Sequence, residues 1–302
     1  MNEVLTQIGQ IGIVPVVVIE DAADAVPLCK ALSDGGLPIA EITFRTAAAE
    51  EAIRRATAEL PDMLIGAGTV LTTDQAQRAI DAGARFIVSP GFNPAVVEFC
   101  AEKGVPITPG CSNPTDVEMA LSCGLEVVKF FPAEAFGGLK TLKAISAPYG
   151  MMKFVPTGGI DASNLNEYLA FNKVLACGGS WMVKADLIKA GDFAAITQLT
   201  REAVSTMLGF DLAHVGINTP DAGASLDLAK CLGSILSMPS AGPGGCGHIA
   251  IKTNSLPRAI AYMERSGAAV DMSTAKGPEG GPPVSVYLKD SFGGFAIHLL
   301  SK

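Results

Sequence analysis

No two of the seven cysteines in this chain stand as a CxxC pair. The number is odd and the positions are scattered, so reduced thiols in a cytoplasmic protein fit better than a disulfide framework or a zinc ribbon. Long hydrophobic runs are also missing. The longest, Ile11 to Ile19, is too short to span a bilayer and contains Pro15. Met1-Asn2-Glu3-Val4 carries no basic segment, so no secretory signal is expected. A basic stripe that would point to nucleic acid is absent. The net charge is −8, and residues 209–302 hold seven acidic and seven basic side chains, so the preceding segment carries all of it. No nucleic acid or membrane partner is expected, and an anionic ligand has to be held by local donors.

What is present is apolar and repetitive. With 302 residues, 49% hydrophobic and 17% charged, the chain is long enough for one large barrel and a small domain. From Ile11 to about Met207 a β-branched run, a turn and an Ala-rich helical stretch recur. The predicted strands are Ile11–Ile19, Pro38–Phe44, Met63–Val70, Phe86–Pro90, Pro106–Gly110, Val127–Pro132, Lys153–Gly159 and Lys173–Gly179. Helices are predicted at Ala22–Ser33, Ala47–Leu60, Thr73–Ala82, Pro94–Lys103 and Pro114–Ser122, with Asn113 and Asp161 as caps. Near-continuous apolar strands alternating with helices imply an α/β fold with a parallel (β/α)8 barrel. An open doubly wound sheet is the runner-up, disfavoured because no GxGxxG turn follows the first strand.

The pattern changes near Gly209. His214–Asn218, His248–Lys252, Val284–Leu288 and Phe295–Leu300 read as strands, and Ala222–Leu236 and Leu256–Ser266 as helices. Pro239–Gly247 reads as a break and Gly277–Pro283 as a loop. The segments Ala213–Ile217 and Gly247–Ile251 resemble each other, a weak internal repeat. Domains 1–208 and 209–302 follow, the second α+β.

The chemistry is concentrated at strand ends of the barrel, where such folds carry their sites. Lys129 interrupts the apolar run Val127-Val128-Lys129-Phe130-Phe131-Pro132. Burying an ammonium is costly, and desolvation makes an amine a nucleophile near neutral pH, able to condense with a ketone. The plainer reading is a lysine whose stem follows the strand while its head reaches water. Alternation puts Glu41, Thr43 and Arg45 on one face of the second strand. Glu41 is a candidate general acid/base, and the Arg45 fork suits a carboxylate. An ion pair between Glu41 and Arg45 that closes the strand end is the alternative. Glycine turns after the seventh and eighth strands, Thr157-Gly158-Gly159 and Gly178-Gly179-Ser180, match the position where phosphate sites recur. Trp181 reads as a packing residue beside the second of these turns. Met151-Met152 reads as a cap on the barrel bottom.

Residues 11–207 resemble the 2-keto-3-deoxy-6-phosphogluconate / 4-hydroxy-2-oxoglutarate aldolase family of class I lyases. The matching stretches are Ile13–Val17, Glu41–Thr46, Gly66–Leu71, Ser89–Gly91, Lys129–Glu134, Pro156–Ile160 and Gly178–Trp181. The resemblance implies a homotrimeric barrel that needs no cofactor for the aldol step. It makes Lys129 the Schiff-base lysine and Glu41 the general acid/base. Arg45 and Thr69 would contact the keto acid, and Pro90 and Phe131 would line the pocket. Thr157, Gly158, Gly159, Gly179 and Ser180 would hold the distal end of the substrate.

The second domain resembles the vicinal oxygen chelate (glyoxalase-like) superfamily, which gives the fold expectation in full: a (β/α)8 TIM barrel followed by a small α+β glyoxalase-like domain. All three histidines, His214, His248 and His298, lie there. The resemblance implies a divalent metal on them, since imidazole is a good ligand for zinc, nickel or iron. His298 falls where metal-binding members have Glu, and Ser237–Gly245 is too short for the first module's remaining strands. Histidines with ordinary hydrogen bonds are the other reading. Three functions are thus on the table: an aldolase, a keto-acid-binding sensor, and a metal-dependent activity in the C-terminal domain.

Overall fold

The computed structural model describes residues 1–218 and 245–302. The chain divides into two compact units, Met1–Met207 and Leu208–Lys302.

The first unit begins with α1 (Glu3–Ile11) and β1 (Ile13–Val17). It continues through α2 (Ala25–Asp34), β2 (Ile39–Thr43), α3 (Ala49–Glu59), β3 (Leu64–Gly68), α4 (Thr73–Asp81) and β4 (Ile87–Val88). Then come α5 (Pro94–Glu102), β5 (Ile107–Thr108), α6 (Pro114–Ser122), β6 (Val127–Phe130), α7 (Gly138–Ser146) and β7 (Lys153–Pro156). The last elements are α8 (Leu165–Leu169), β8 (Cys177–Gly179), α9 (Ala185–Lys189) and α10 (Phe193–Leu208), which runs into the second unit.

Six strands form one parallel sheet in the order β5-β4-β3-β2-β1-β8, and β6 pairs with β7. Single bridges complete the ring: Gly110 with Lys129 joins β5 to β6, and Thr157 with Gly178 joins β7 to β8. The strands are therefore the eight of a closed (β/α) barrel. They are shorter than the apolar runs predict, for a physical reason. Pro106 and Pro109 flank β5, Pro90 follows β4 and Pro156 ends β7, and a proline has no N–H to continue a ladder. The strand residues are buried almost throughout, as expected when helices cover the sheet. Gly66 leaves room inside for Phe86, since a Cβ there would lie 2.3 Å from the ring.

The helix starts follow their caps. Asn113 accepts from the Asp116 N–H ahead of α6, and Asn93 and Thr72 serve α5 and α4 in the same way. Asp161 differs from expectation: it accepts from Ser163, one turn ahead of α8, whose N-cap is Asn164. Met152 is buried, whereas Met151 is 77% exposed and covers nothing. The helix α1, not anticipated from the sequence, is capped by Asn2 and closed by left-handed Gly12 (φ 82°).

The second unit contains β9 (Asp211–Ile217), β10 (Gly247–Thr253), α11 (Leu256–Arg265), β11 (Val270–Lys276), β12 (Ser285–Phe292) and β13 (Phe295–Ser301). They form a mixed sheet in the order β11-β12-β13-β10-β9, with β10 and β13 parallel and the other pairs antiparallel. Its α+β character agrees with the sequence. The two mutually similar segments are neighbours, β9 and β10. The predicted helix Ala222–Leu236, and the Ser237–Gly245 segment apart from Gly245, lie outside the described residues. β12 runs past Leu288 to a tight turn at Gly293-Gly294, both at positive φ (58° and 82°), as a two-residue hairpin requires.

Candidate active site

Lys129 and Glu41 meet inside the barrel. Lys129 on β6 is 6% exposed and Glu41 on β2 is 3% exposed. The Lys129 Nζ donates to Glu41 Oε1 at 3.4 Å. Lys129 is thus no snorkelling surface lysine, and the carboxylate pairs with it and not with Arg45. The Phe131 ring centroid lies 5.1 Å from the ammonium. Gly68 makes the space for Glu41: a Cβ there would stand 2.2 Å from Oε1.

Arg45 stands just beyond the end of β2, exposed at the mouth, and its Nε donates to Thr69 Oγ1 at 3.2 Å. Thr69 adopts φ 56°, a conformation that β-branched residues strongly disfavour and that clusters at functional sites. Thr43, expected on the same face, instead donates to the Val17 carbonyl at 2.8 Å and ties β2 to β1.

A cleft of about 500 Å³ is lined by Arg45, Phe131, Thr157, Gly158, Gly159, Gly179 and Ser180, seven of the residues singled out from sequence. Phe131 spans from this cleft to Lys129. The Pro90 carbonyl packs on Gly110, leaving no room there for a Cβ (2.0 Å). Trp181 does line the cleft, with its ring in the space where a Gly179 Cβ would be (1.9 Å). Packing and lining are one role here, because a flat indole walls the cleft only if residue 179 has no side chain.

The first glycine turn is built to present donors. The carbonyls of Thr157, Gly158 and Gly159 accept from Ala133 N–H (2.8 Å), Glu134 N–H (3.0 Å) and Asn164 Nδ2 (3.0 Å). In a trans peptide the next N–H points the opposite way. The Gly158 N–H is thereby aimed at Gly178 of β8, the partner of the Thr157 bridge, whereas the N–H groups of Gly159 and Ile160 are turned away from these partners and have no main-chain acceptor among the described residues. Gly158 and Gly159 both need positive φ (98° and 80°) to do so. Successive free N–H groups of this kind form a concavity for an anion.

Of the cysteines, Cys111 is buried, and burial pushes its thiol up to about 12, so it is no nucleophile.

The three histidines of the second unit are not assembled as a chelate. His214 and His298 flank Ala250 across neighbouring strands. The Nε2 atoms of His214 and His248 lie 3.0 Å apart. His298 stacks on Tyr287 (4.2 Å, 4°), its centroid 6.1 Å from that of His248. His248 Nδ1 and both His298 nitrogens are buried without a partner among the described residues. Burial, helped by the other histidines, holds His248 below the usual imidazole range and His298 at about 4. Among the described residues no group of three His, Cys, Asp or Glu is arranged to hold a metal ion.

The barrel and its buried lysine pair define a (β/α) barrel of the aldolase kind. The family model of KDPG and KHG aldolase matches residues 4–199, and the chain belongs to that family. A 2-dehydro-3-deoxy-phosphogluconate aldolase of Treponema pallidum is 52% identical over 204 residues, covering 68% of this chain and 97% of that protein. The KHG/KDPG aldolase of Escherichia coli K12 is 45% identical over 192 residues, covering 64% and 90%. Among solved structures, a KDPG aldolase of Legionella pneumophila, with pyruvate captured at low pH as a covalent carbinolamine intermediate, matches at 38% identity and TM-score 0.64, over 66% of this chain and 97% of that one. The enzyme of Zymomonas mobilis ZM4 with 3-phosphoglycerate matches at 40% identity and TM-score 0.62, over 66% and 94%.

Proposed function

We propose that the chain is a class I aldolase, a lyase that cleaves 2-keto-3-deoxy-6-phosphogluconate to pyruvate and glyceraldehyde 3-phosphate. The same site would cleave 4-hydroxy-2-oxoglutarate to pyruvate and glyoxylate. The single observation that carries this reading is the buried Lys129–Glu41 pair at 3.4 Å. An amine with a carboxylate at hydrogen-bond range has its proton acceptor in place.

In this mechanism the Lys129 Nζ adds to the C2 ketone, and loss of water leaves an iminium. Glu41 takes the C4 hydroxyl proton, the C3–C4 bond breaks, and its electron pair moves into the iminium as an enamine. The aldehyde leaves. Protonation at C3 and hydrolysis release pyruvate and restore the amine. The terminal nitrogens of Arg45, with no protein partner among the described residues, hold the substrate carboxylate, and Thr69 braces the guanidinium. The Gly159 and Ile160 N–H groups receive the distal phosphate, in the cleft that Gly158, Gly179 and Ser180 also line. No metal or other cofactor enters these steps.

Pyruvate with borohydride, followed by intact mass and peptide mapping, tests the reading. The expected result is a reduced adduct on Lys129, lost in Lys129→Ala together with turnover. Folded protein without an adduct would sink the mechanism and favour a keto-acid sensor.

We further infer a homotrimer in the cytoplasm, to be tested by light scattering and by cell fractionation. No helix among the described residues is long and apolar enough to cross a membrane. For residues 209–302 the glyoxalase-like reading is supported by the mixed sheet with histidines on β9, β10 and β13. The metal has less support. His214 and His248 offer two nitrogens where a zinc centre takes at least three protein ligands, and His298 is engaged with Tyr287. Added zinc that raises the melting temperature of the intact chain, and not that of a His248→Ala variant, would restore it.

A further inference from the structure

The loop that follows the lysine strand β6 and the loop that follows β7 are fastened together at three points. Two of the fastenings are main-chain bonds, Ala133 N–H to Thr157 O and Glu134 N–H to Gly158 O. A third comes from below. The Tyr168 hydroxyl, on α8, donates to Glu134 Oε1. Tyr168 is 1% exposed and among the largest fully buried side chains. Burial and the Glu134 carboxylate both raise its pKa, so the phenol stays protonated as a donor. The surroundings leave this contact little freedom. A Cβ on Gly159 would stand 2.6 Å from the Glu134 Cβ. A Cβ on Gly138 would stand 3.0 Å from Glu134 Oε1 and 3.2 Å from the Tyr168 hydroxyl oxygen. Both glycines are at positive φ.

We propose that Tyr168 and Glu134 are positioning residues that set the distal anion donors of Gly159 and Ile160 relative to Lys129. The hydrogen bond locks the Glu134 side chain against Gly159, and Glu134 in turn holds the Gly158 carbonyl away from the cleft. Release of the bond frees that peptide plane to rotate. A rotated plane presents a carbonyl oxygen to the anion in place of an N–H, which converts a donor into a repulsive group. Lys129 lies upstream on β6 and pairs with Glu41, so keto-acid chemistry does not pass through the fastening. The pair would therefore govern the distal group selectively.

This inference rests on the reading of the glycine turn as the distal-phosphate site. Its test uses the full chain and four measurements on each protein: kcat and KM for 2-keto-3-deoxy-6-phosphogluconate, inhibition by inorganic phosphate, and the rate of pyruvate trapping by borohydride. Tyr168→Phe is expected to raise KM and the phosphate inhibition constant together by about five- to tenfold, the scale of one ordinary hydrogen bond. Trapping and kcat should stay within about twofold. Glu134→Ala should repeat the effect from an exposed position, which keeps the test open should Tyr168→Phe fold poorly. Glu134→Gln retains an oxygen acceptor and should restore most of the affinity. Unchanged KM and phosphate inhibition in Tyr168→Phe and Glu134→Ala would overturn the proposal. So would an equal loss in all four quantities, the sign of general loosening. A wild-type protein that traps pyruvate but ignores phosphate would overturn the distal-phosphate reading itself.

Discussion

Replacing Gly68 by alanine isolates the position of one carboxylate. Gly68 ends β3 and is not among the glycines at positive φ, so alanine meets no backbone penalty there. Its methyl group would, however, lie 2.2 Å from Glu41 Oε1, 2.7 Å from Cγ and 2.8 Å from Cδ. Contacts this short have to be relieved by about 1 Å of movement, and the rigid barrel backbone leaves the Glu41 side chain to move. A displacement of that size from a reacting group costs on the order of 100-fold in rate, within the range that a positioned acid/base supplies. The expected result is a fall in kcat of about 100-fold with KM changed little. Overpacking should also lower stability by about 1 to 3 kcal/mol. Steady-state cleavage coupled to pyruvate reduction gives the rate, and urea unfolding gives the stability. The double variant Gly68→Ala, Glu41→Gln should be no slower than Glu41→Gln alone, since both act on one group. A Gly68→Ala enzyme within threefold of the wild-type kcat would refute both the steric argument and the role given to Glu41.

Thr69→Gly should relieve the left-handed strain but remove the hydroxyl that braces Arg45, so unfolding becomes harder or unchanged while KM for the keto acid rises about fivefold. Chemical denaturation and initial rates check the two halves separately. Gly159→Ala adds a methyl 2.6 Å from Glu134 Cβ at φ 80°, and should weaken inhibition by phosphate more than tenfold while pyruvate trapping survives. In the second unit, His298 titrates at about 4, below its ordinary value, because it is buried among His248, His214 and Lys276. The unfolded chain binds its proton first, so stability is full above about pH 6.5 and falls as pH drops toward 4. With a discount for its partial exposure, the loss is about 2 kcal/mol. Hydrogen exchange in β13 between pH 7.5 and 4.5 should show it, and a His298→Phe variant should have a flatter profile; equal slopes would contradict the burial argument.

Lys129 and Glu41 were legible because charge is expensive in an apolar strand, and such residues stand out in any run of Val, Ile and Phe. The barrel was legible for a related reason: strands covered on both faces have no polar alternation to confuse the reading. What escaped notice involves shape more than charge. Gly68 reads as part of a strand end and Gly179 as part of a turn, yet their lack of a side chain is used by Glu41 in one case and Trp181 in the other. Tyr168 reads as one more core aromatic until its hydroxyl is seen on Glu134. β11 gives no strand signal in the sequence, because only Val270 of its seven residues is buried, and an edge strand with Asp271, Ser273 and Lys276 carries no apolar period. The histidines lie on strands, as their apolar neighbours imply, but register decides their use. Ala250 between His214 and His298 sets the two rings on either side of β10, and Tyr287 takes His298.

The two sets of buried polar groups in this protein differ in a way that bears on what each unit does. In the barrel, the buried charges of Lys129 and Glu41 answer each other, and the N–H groups left without an acceptor belong to the main chain, held by bonds behind them. On the proposed function, such fixed donors would meet an anionic keto acid without rearrangement. Among the described residues of the second unit the unanswered side-chain atoms are imidazole nitrogens: one on His248 and both on His298. A buried polar atom without a partner costs on the order of 1 to 3 kcal/mol. Three such atoms on one sheet face therefore hold free energy that a ligand able to bond them would recover. Simple packing would favour apolar side chains at these positions, so a stabilising role alone does not account for them. Replacement of His298 by leucine separates the cases. A rise in the stability of the full chain would show that the imidazole is kept at a cost, for binding. A fall would show that the Tyr287 stack makes it a structural residue.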